Sequence, residues 1–157
     1  MTTAEHLLQV ERRIAARPEI VFSYFTDPVR YRLWQGVDAE LDPRPGGVFR
    51  VTMTGRSRVV ARGTFLEVDP PTRLVFTWGW EPATDAPHGM RGLVPGASTV
   101  EVVLAPDGEG TLLRLRHGGL PTEASFEFHT GGWELTLGRL EVVAAGDDPG
   151  PNPLAEL

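Results

Sequence analysis

RLVFTWGW, residues 73–80, sets Leu74, Phe76, Trp78 and Trp80 at every second position, with Val75, Thr77 and Gly79 between them. Side chains alternate faces along a strand, so this spacing predicts a strand with a row of rings on its inner face. The same period of two appears on both sides of it. HLLQVERRIA (6–15), VDAELD (37–42), FRVTMT (49–54), VVARGTFLEV (59–68), STVEVVLA (98–105) and TLLRLRH (111–117) are further strand candidates, and from residue 36 onward each break between them carries Gly or Pro. Their short connections predict antiparallel neighbours joined as a meander. EPATDAPHGMRGLVPGA (81–97) is longer and irregular, the kind of loop that covers a site.

Helical signals fall at two places. After the first strand, Pro18 suits the first turn of a helix that puts Val21, Phe22 and Phe25 on one face. Asp27-Pro28 repeats the start signal for a second short helix ending near Trp34. From about Pro121 to Ala144 the period becomes helical again: Phe126, His129, Trp133, Leu137 and Leu140 make one stripe, so this helix should lie across the sheet. Gly131-Gly132 inside it predict a kink or a close approach to another backbone or a ligand. GDDPGPNPLAEL, which follows, has the composition of a disordered tail. The expected organisation is one domain over residues 1–144 and a disordered 145–157.

Composition removes whole function classes. The 157 residues, 41% hydrophobic, can bury a core without disulfides or metal. No leader peptide and no long apolar run are readable, which predicts a cytoplasmic chain without a membrane span. Fifteen basic residues against 21 acidic ones give a net charge of −6, against any nucleic-acid partner held by its phosphates. The pairs Arg56 with Arg58 and Arg114 with Arg116 read as solvated strand faces. Every basic residue is Arg and there is no Cys, so Schiff-base and thiolate chemistry are excluded. The all-Arg, Ala/Gly/Pro-rich usage is that of a GC-rich bacterial genome.

The order of one strand, two short helices, six strands and a long C-terminal helix resembles the helix-grip fold of the START-like, birch-pollen-allergen-like (SRPBCC) superfamily. VERRIAARPEIVFSYFTDP, ELDPRPGGVFRV, GTFLEVDPPTRLVFTWGW, STVEVVLAP and GTLLRLRHGGLP followed by FHTGGWELTLGRL are similar to the bacterial homologues of the activator of the heat-shock protein 90 ATPase, over about residues 7–144. The resemblance implies an α+β fold: a curved seven-stranded antiparallel sheet wrapped around the C-terminal helix. It also implies an apolar cavity between them that accepts lipids, sterols, polyketides or similar molecules. The family takes its name from a co-chaperone whose matching domain follows a separate chaperone-binding domain, and nothing of that size precedes residue 7, so chaperone activation is not expected.

Alternation assigns the faces. Phe49, Val51 and Met53 should point inward with Arg50, Thr52 and Thr54 outward; Leu113, Leu115 and His117 inward with Arg114 and Arg116 outward. Strand 59–68 stays open, because Val60, Thr64, Leu66 and Val68 compete with Val59, Ala61, Gly63 and Phe65. Phe76 reads as core, and Trp78 and Trp80 as the place where core becomes pocket. A dry void of about 300 Å³, at about 24 cal/mol per Å³, would cost about 7 kcal/mol, rivalling the stability of a whole domain. The cavity should therefore be filled by rings, hold water on polar groups, or carry an apolar ligand.

Signals for chemistry are sparse. Of four histidines, His6 and His88 stand apart, while His117 and His129 could approach one another across the grip. Two are too few for a metal site, and Glu127 does not share a helical face with His129, so no metal or other cofactor is expected. His117 is read as bonding backbone near the start of the last helix, and His129 as a polar spot in the cavity wall. Ser23, Ser57, Ser98 and Ser125 lack the framing of a nucleophile elbow, and Gly46-Gly47 are accounted for by a hairpin turn. Glu67 and Glu101 are the acids that could be buried. These observations favour a carrier or sensor of a small hydrophobic molecule over an enzyme. The expected ligand-binding residues are Trp34, Phe49, Val51, Met53, Phe76, Trp78, Trp80, Phe126, His129 and Trp133, and no catalytic residue is assigned. A polyketide cyclase or aromatase using His117 or His129 and a protein-interaction or co-chaperone-like module are the alternatives, and the tryptophans at the sheet end could equally form a homodimer face.

Overall fold

The computed structural model describes residues 6–54, 58–83 and 87–156. Arg56 and Ser57, part of the loop at 84–86 and the side chain of His88 lie outside the described residues. The strands are β1 (His6–Ile14), β2 (Asp38–Leu41), β3 (Val48–Thr54), β4 (Arg58–Asp69), β5 (Arg73–Trp78), β6 (Ser98–Asp107) and β7 (Gly110–Leu120). The helices are α1 (Pro18–Thr26), α2 (Pro28–Gln35) and α3 (Glu123–Ala144). All seven strands form one curved antiparallel sheet in the order β1-β7-β6-β5-β4-β3-β2, so the meander is closed off by the first strand pairing with the last. The fold is the helix grip that the order of elements implied.

Local chemistry explains the helices that link the two sheet edges. Pro18 opens α1, and Val21, Phe22 and Phe25 are buried. Asp27 caps α2 by accepting from the Val29 N–H at 2.9 Å. Gly36 ends α2 in the left-handed region, φ 68°, which a residue with a Cβ enters only under strain. The lower core is aromatic: Phe49 and Phe76 stack with centroids 4.3 Å apart, and Phe65 meets both edge-on. Trp34 is fully buried among Phe25 and Tyr31, and its indole N–H donates to Tyr24 O at 2.8 Å.

The two sets competing for the inner face of β4 each supply part of it. Val59, Ala61 and Phe65 are buried, the register then slips between Phe65 and Glu67, and Val68 packs against the core beyond the slip. A bulge reverses the alternation of faces, so neither parity holds along the whole strand.

The segment after α3 departs from the expected disorder. Asn152 is buried, and its amide donates to Gln35 O at 2.7 Å. Arg139, also buried, donates to Trp34 O at 2.7 Å, Pro149 O at 3.3 Å and Pro151 O at 3.1 Å. A Pro/Gly-rich composition describes a chain with little regular structure of its own; here a guanidinium adds to the few bonds the segment makes internally, Asp148 to Gly150 N–H and Asn152 to Leu154 N–H. Arg139→Met should therefore lower stability by about 2 kcal/mol through the orphaned carbonyls. It should also raise amide hydrogen exchange at Gly150 and Leu154 toward that of open chain, and unchanged exchange would show that the segment is held otherwise.

Gly131 and Gly132 do not interrupt α3, which is continuous from Glu123 to Ala144. A Cβ at Gly131 would meet nothing within 4 Å, and one at Gly132 would touch only Leu154 Cδ1, at 3.8 Å.

Candidate functional site

Above the stacked phenylalanines the inner face of β5 continues into Trp78 and Trp80, and α3 lays His129 and Trp133 opposite them. Between them lies a cavity of about 50 Å³. Met53, Trp78, Trp80, His129 and Trp133 line it as the sequence pattern proposed. Trp34, Phe49, Val51 and Phe76 are not among its lining residues; all four are buried in the hydrophobic core below. Phe126 is also displaced from it, half-buried beside the His6 ring at 6.1 Å.

The remaining lining comes from places the pattern missed. Gln35 ends α2, Met90 sits in the long loop, Phe128, Gly132 and Thr136 are on α3, and Asn152 and Leu154 belong to the C-terminal segment. The loop closes down because Gly89 lies against Phe128; a Cβ there would fall 2.2 Å from Phe128 Cβ. Rings and caps leave so little space that the void penalty falls to about 1 kcal/mol at about 24 cal/mol per Å³. Of the three expected states of the cavity, filling by rings accounts for most of its volume.

Both inward histidines are engaged by hydrogen bonds of defined direction. Trp80 Nε1–H donates to His129 Nε2 at 3.0 Å, which leaves the His129 proton on Nδ1, facing Ser125 O at 2.7 Å. Trp133 Nε1–H donates to His117 Nδ1 at 3.0 Å, so Nε2–H of His117 donates to Ser98 Oγ at 2.8 Å, and Ser98 in turn donates to Trp78 O at 2.7 Å. The two imidazoles are therefore neutral and carry opposite tautomers. Their centroids stand 5.2 Å apart. Burial, and then repulsion from His129, pushes His117 down to about 3; burial also lowers His129, with its bond to the Ser125 carbonyl opposing. His117 thus bonds side chains of β6 and α3, not the backbone near the helix start that the sequence suggested.

This polarity bears on catalysis. In a nucleophile–base pair the serine donates to an imidazole whose other nitrogen is a donor to an acid. Here His117 Nδ1 is occupied by an indole donor and Nε2 points its own proton at Ser98. Glu67 and Glu101 lie away from the cavity, both bonded to Arg73, at 2.8 Å and 2.9 Å. Among the described residues no group of three His, Asp or Glu could hold a metal ion. No described helix is long and apolar enough to cross a membrane.

A sheet gripping a helix over an apolar, capped cavity defines the START-like class. The chain belongs to the family described as activator of Hsp90 ATPase homolog 1-like protein, whose profile matches residues 15–145. It is similar to an AHSA1-like protein from Rhizobium etli, known from its solution NMR structure: 42% identity, 96% of this chain and 88% of that one, TM-score 0.71. It also resembles CalU16 from Micromonospora echinospora, at 29% identity over 88% of this chain and 76% of that one, TM-score 0.68. PFC0360w, an HSP90 activator from Plasmodium falciparum, shares the fold at 23% identity, covering 88% of this chain and 96% of that one, TM-score 0.67. A search of the curated proteins finds no significant match.

Proposed function

We propose that this protein binds a small hydrophobic molecule in the cavity between the sheet and α3, as a carrier or sensor. The observation that carries the reading is the wall itself: Met53, Trp78, Trp80, Met90, Phe128 and Trp133 converge on one apolar pocket. Ligand sites are concave, mostly apolar and of about 300 Å³ or more. At about 50 Å³ the space is contracted, so a ligand enters by displacing the parts of the wall with least support from regular structure. Those are Met90 and Leu154, each on a 3-10 helix of three or four residues outside the sheet and α3. Binding is favoured over acid–base turnover because both histidines already use their nitrogens on protein partners, which removes the residues that a cyclase reading needs.

Native mass spectrometry of freshly purified protein, followed by thermal shift against a library of hydrophobic small molecules, tests this. A ligand at about 100 times its dissociation constant adds about 2.7 kcal/mol, a shift of roughly 5 to 11 °C for a chain this size. A retained mass or a shift of that order is the expected result. Neither a retained mass nor any shift across the library would move the weight to a protein-interaction module.

A further inference from the structure

We propose that the cavity selects a neutral apolar molecule bearing one hydrogen-bond acceptor, a carbonyl or ether oxygen, and that the indole N–H of Trp78 is the donor that recognises it. This deepens the ligand-binding reading and rests on it. Trp78, Trp80 and Trp133 all border the cavity. Trp80 gives its N–H to His129 and Trp133 gives its own to His117. Trp78 Nε1 is buried and has no acceptor; among the described residues it is the one buried side-chain nitrogen or oxygen in that condition. A buried donor has lost its water, and native structures seldom leave one unpaired.

The neighbours cannot complete it. The His117 and His129 rings stand edge-on to Trp78, with centroids at 6.1 Å and 6.4 Å, and the acceptor nitrogen of each is already taken. The other rings around it, Trp80 at 5.3 Å, Trp133 at 5.5 Å and Phe49 at 5.7 Å, offer no lone pair in the ring plane. Three indole donors meet two imidazole acceptors, and the donor left over belongs to a ring that lines the cavity, its nitrogen covered until the wall opens around a ligand. The same lining contains no charged side chain. An ionised ligand would be desolvated there without a counter-charge, so the class is neutral. A ligand hydroxyl or amine would find both imidazoles engaged and only Gln35, Thr136 and Asn152 left to accept from it, whereas the unpaired indole donor favours a ligand that accepts.

A matched pair of probes tests this on the full chain. 2-Acetylnaphthalene and 2-isopropenylnaphthalene have nearly the same shape and differ in placing C=O where the other has C=CH₂. The ketone should bind about tenfold more tightly than the alkene, the gain of one buried hydrogen bond. In wild-type protein the indole proton–nitrogen resonance of Trp78 should move downfield with the ketone and not with the alkene, while those of Trp80 and Trp133 serve as internal references. In Trp78→Phe the preference should vanish. Equal affinities, a Trp78 resonance indifferent to the ketone, or a preference that survives in Trp78→Phe would overturn the assignment and leave the ligand site standing. Failure of both probes to bind would overturn the ligand-site reading and this inference with it. Should Trp78→Phe not fold, the wild-type resonance and the ratio of the two affinities decide alone.

Discussion

Urea unfolding at pH 7, 5.5 and 4.5 should show stability falling as the pH drops through the histidine range, with a slope that disappears in large part in His117→Gln. The unfolded imidazole titrates near 6.5, and the folded one is pushed down to about 3. Between those values the unfolded chain binds a proton that the folded one refuses. Stability therefore rises with pH across the window, is fully present above about 6.5, and is lost progressively toward 3. From pH 6.5 to 4.5 the loss from His117 alone is about 2 kcal/mol, the slope approaching about 1.36 kcal/mol per unit below the unfolded value. His117 is fully buried, so little of this is screened by solvent. The folded state resists the proton for a structural reason: a charged His117 would have to give up the lone pair that accepts from Trp133 and would face His129 at 5.2 Å between centroids. His129 shifts in the same direction and adds to the slope. Glutamine can accept from Trp133 and donate to Ser98 without titrating, so the variant separates ionisation from packing. Equal slopes in the two proteins would mean that the acid sensitivity lies elsewhere.

How much of this was legible in the chain depends on whether a residue belongs to a periodic element. The strands and helices follow the alternation and capping signals closely, because each inner face is built of residues at a spacing only one geometry satisfies. The open choice in 59–68 was a true property of β4: a bulge after Phe65 hands the inner face from one parity to the other, and alternation alone carries no sign of a slip. At the site, the residues on β3, β5 and the apolar stripe of α3 were readable. A second stripe on the same helix, Ser125, His129, Gly132, Thr136 and Arg139 at spacings of 4, 3, 4 and 3, was equally periodic. It carries no apolar signal, since polar residues on a helix are ordinarily solvated, yet Ser125, Thr136 and Arg139 are all buried. Arg139 on that stripe holds the segment that brings Asn152 and Leu154 to the cavity, and no signal within the segment itself announces that contact.

Gly79→Ala should be among the most damaging single methyl additions in this molecule, lowering stability by about 4 kcal/mol and opening the cavity. A Cβ at this position would lie 1.8 Å from Val94 O and 2.6 Å from Pro95 Cα, so the obstacle is backbone that cannot rotate aside. Val94 is held there because the next residue on the strand side, Trp80, donates its N–H to Leu93 O at 2.7 Å. Relief requires the 87–97 stretch to lift away, and with it Leu93 and Met90, which are 1% and 3% exposed. Exposing two such side chains forfeits about 3 to 6 kcal/mol, and overpacking that left them in place would cost about 1 to 3 kcal/mol. The first outcome exceeds the range of most point substitutions and the second lies within it, so the magnitude distinguishes a lifted loop from a strained one. Gly131→Ala is the control. It adds the same methyl group on the open side of α3, where nothing lies within 4 Å, and should stabilise the protein by about 1 kcal/mol through helix propensity. Hydrogen exchange then locates the damage: in Gly79→Ala the amides of Trp80 and Leu93 should lose protection while those of β1 and β7 keep it relative to the reduced global stability. A Gly79→Ala protein as stable as wild type would mean that the loop does not rest on β5, and the cavity would lose the lid formed by Met90.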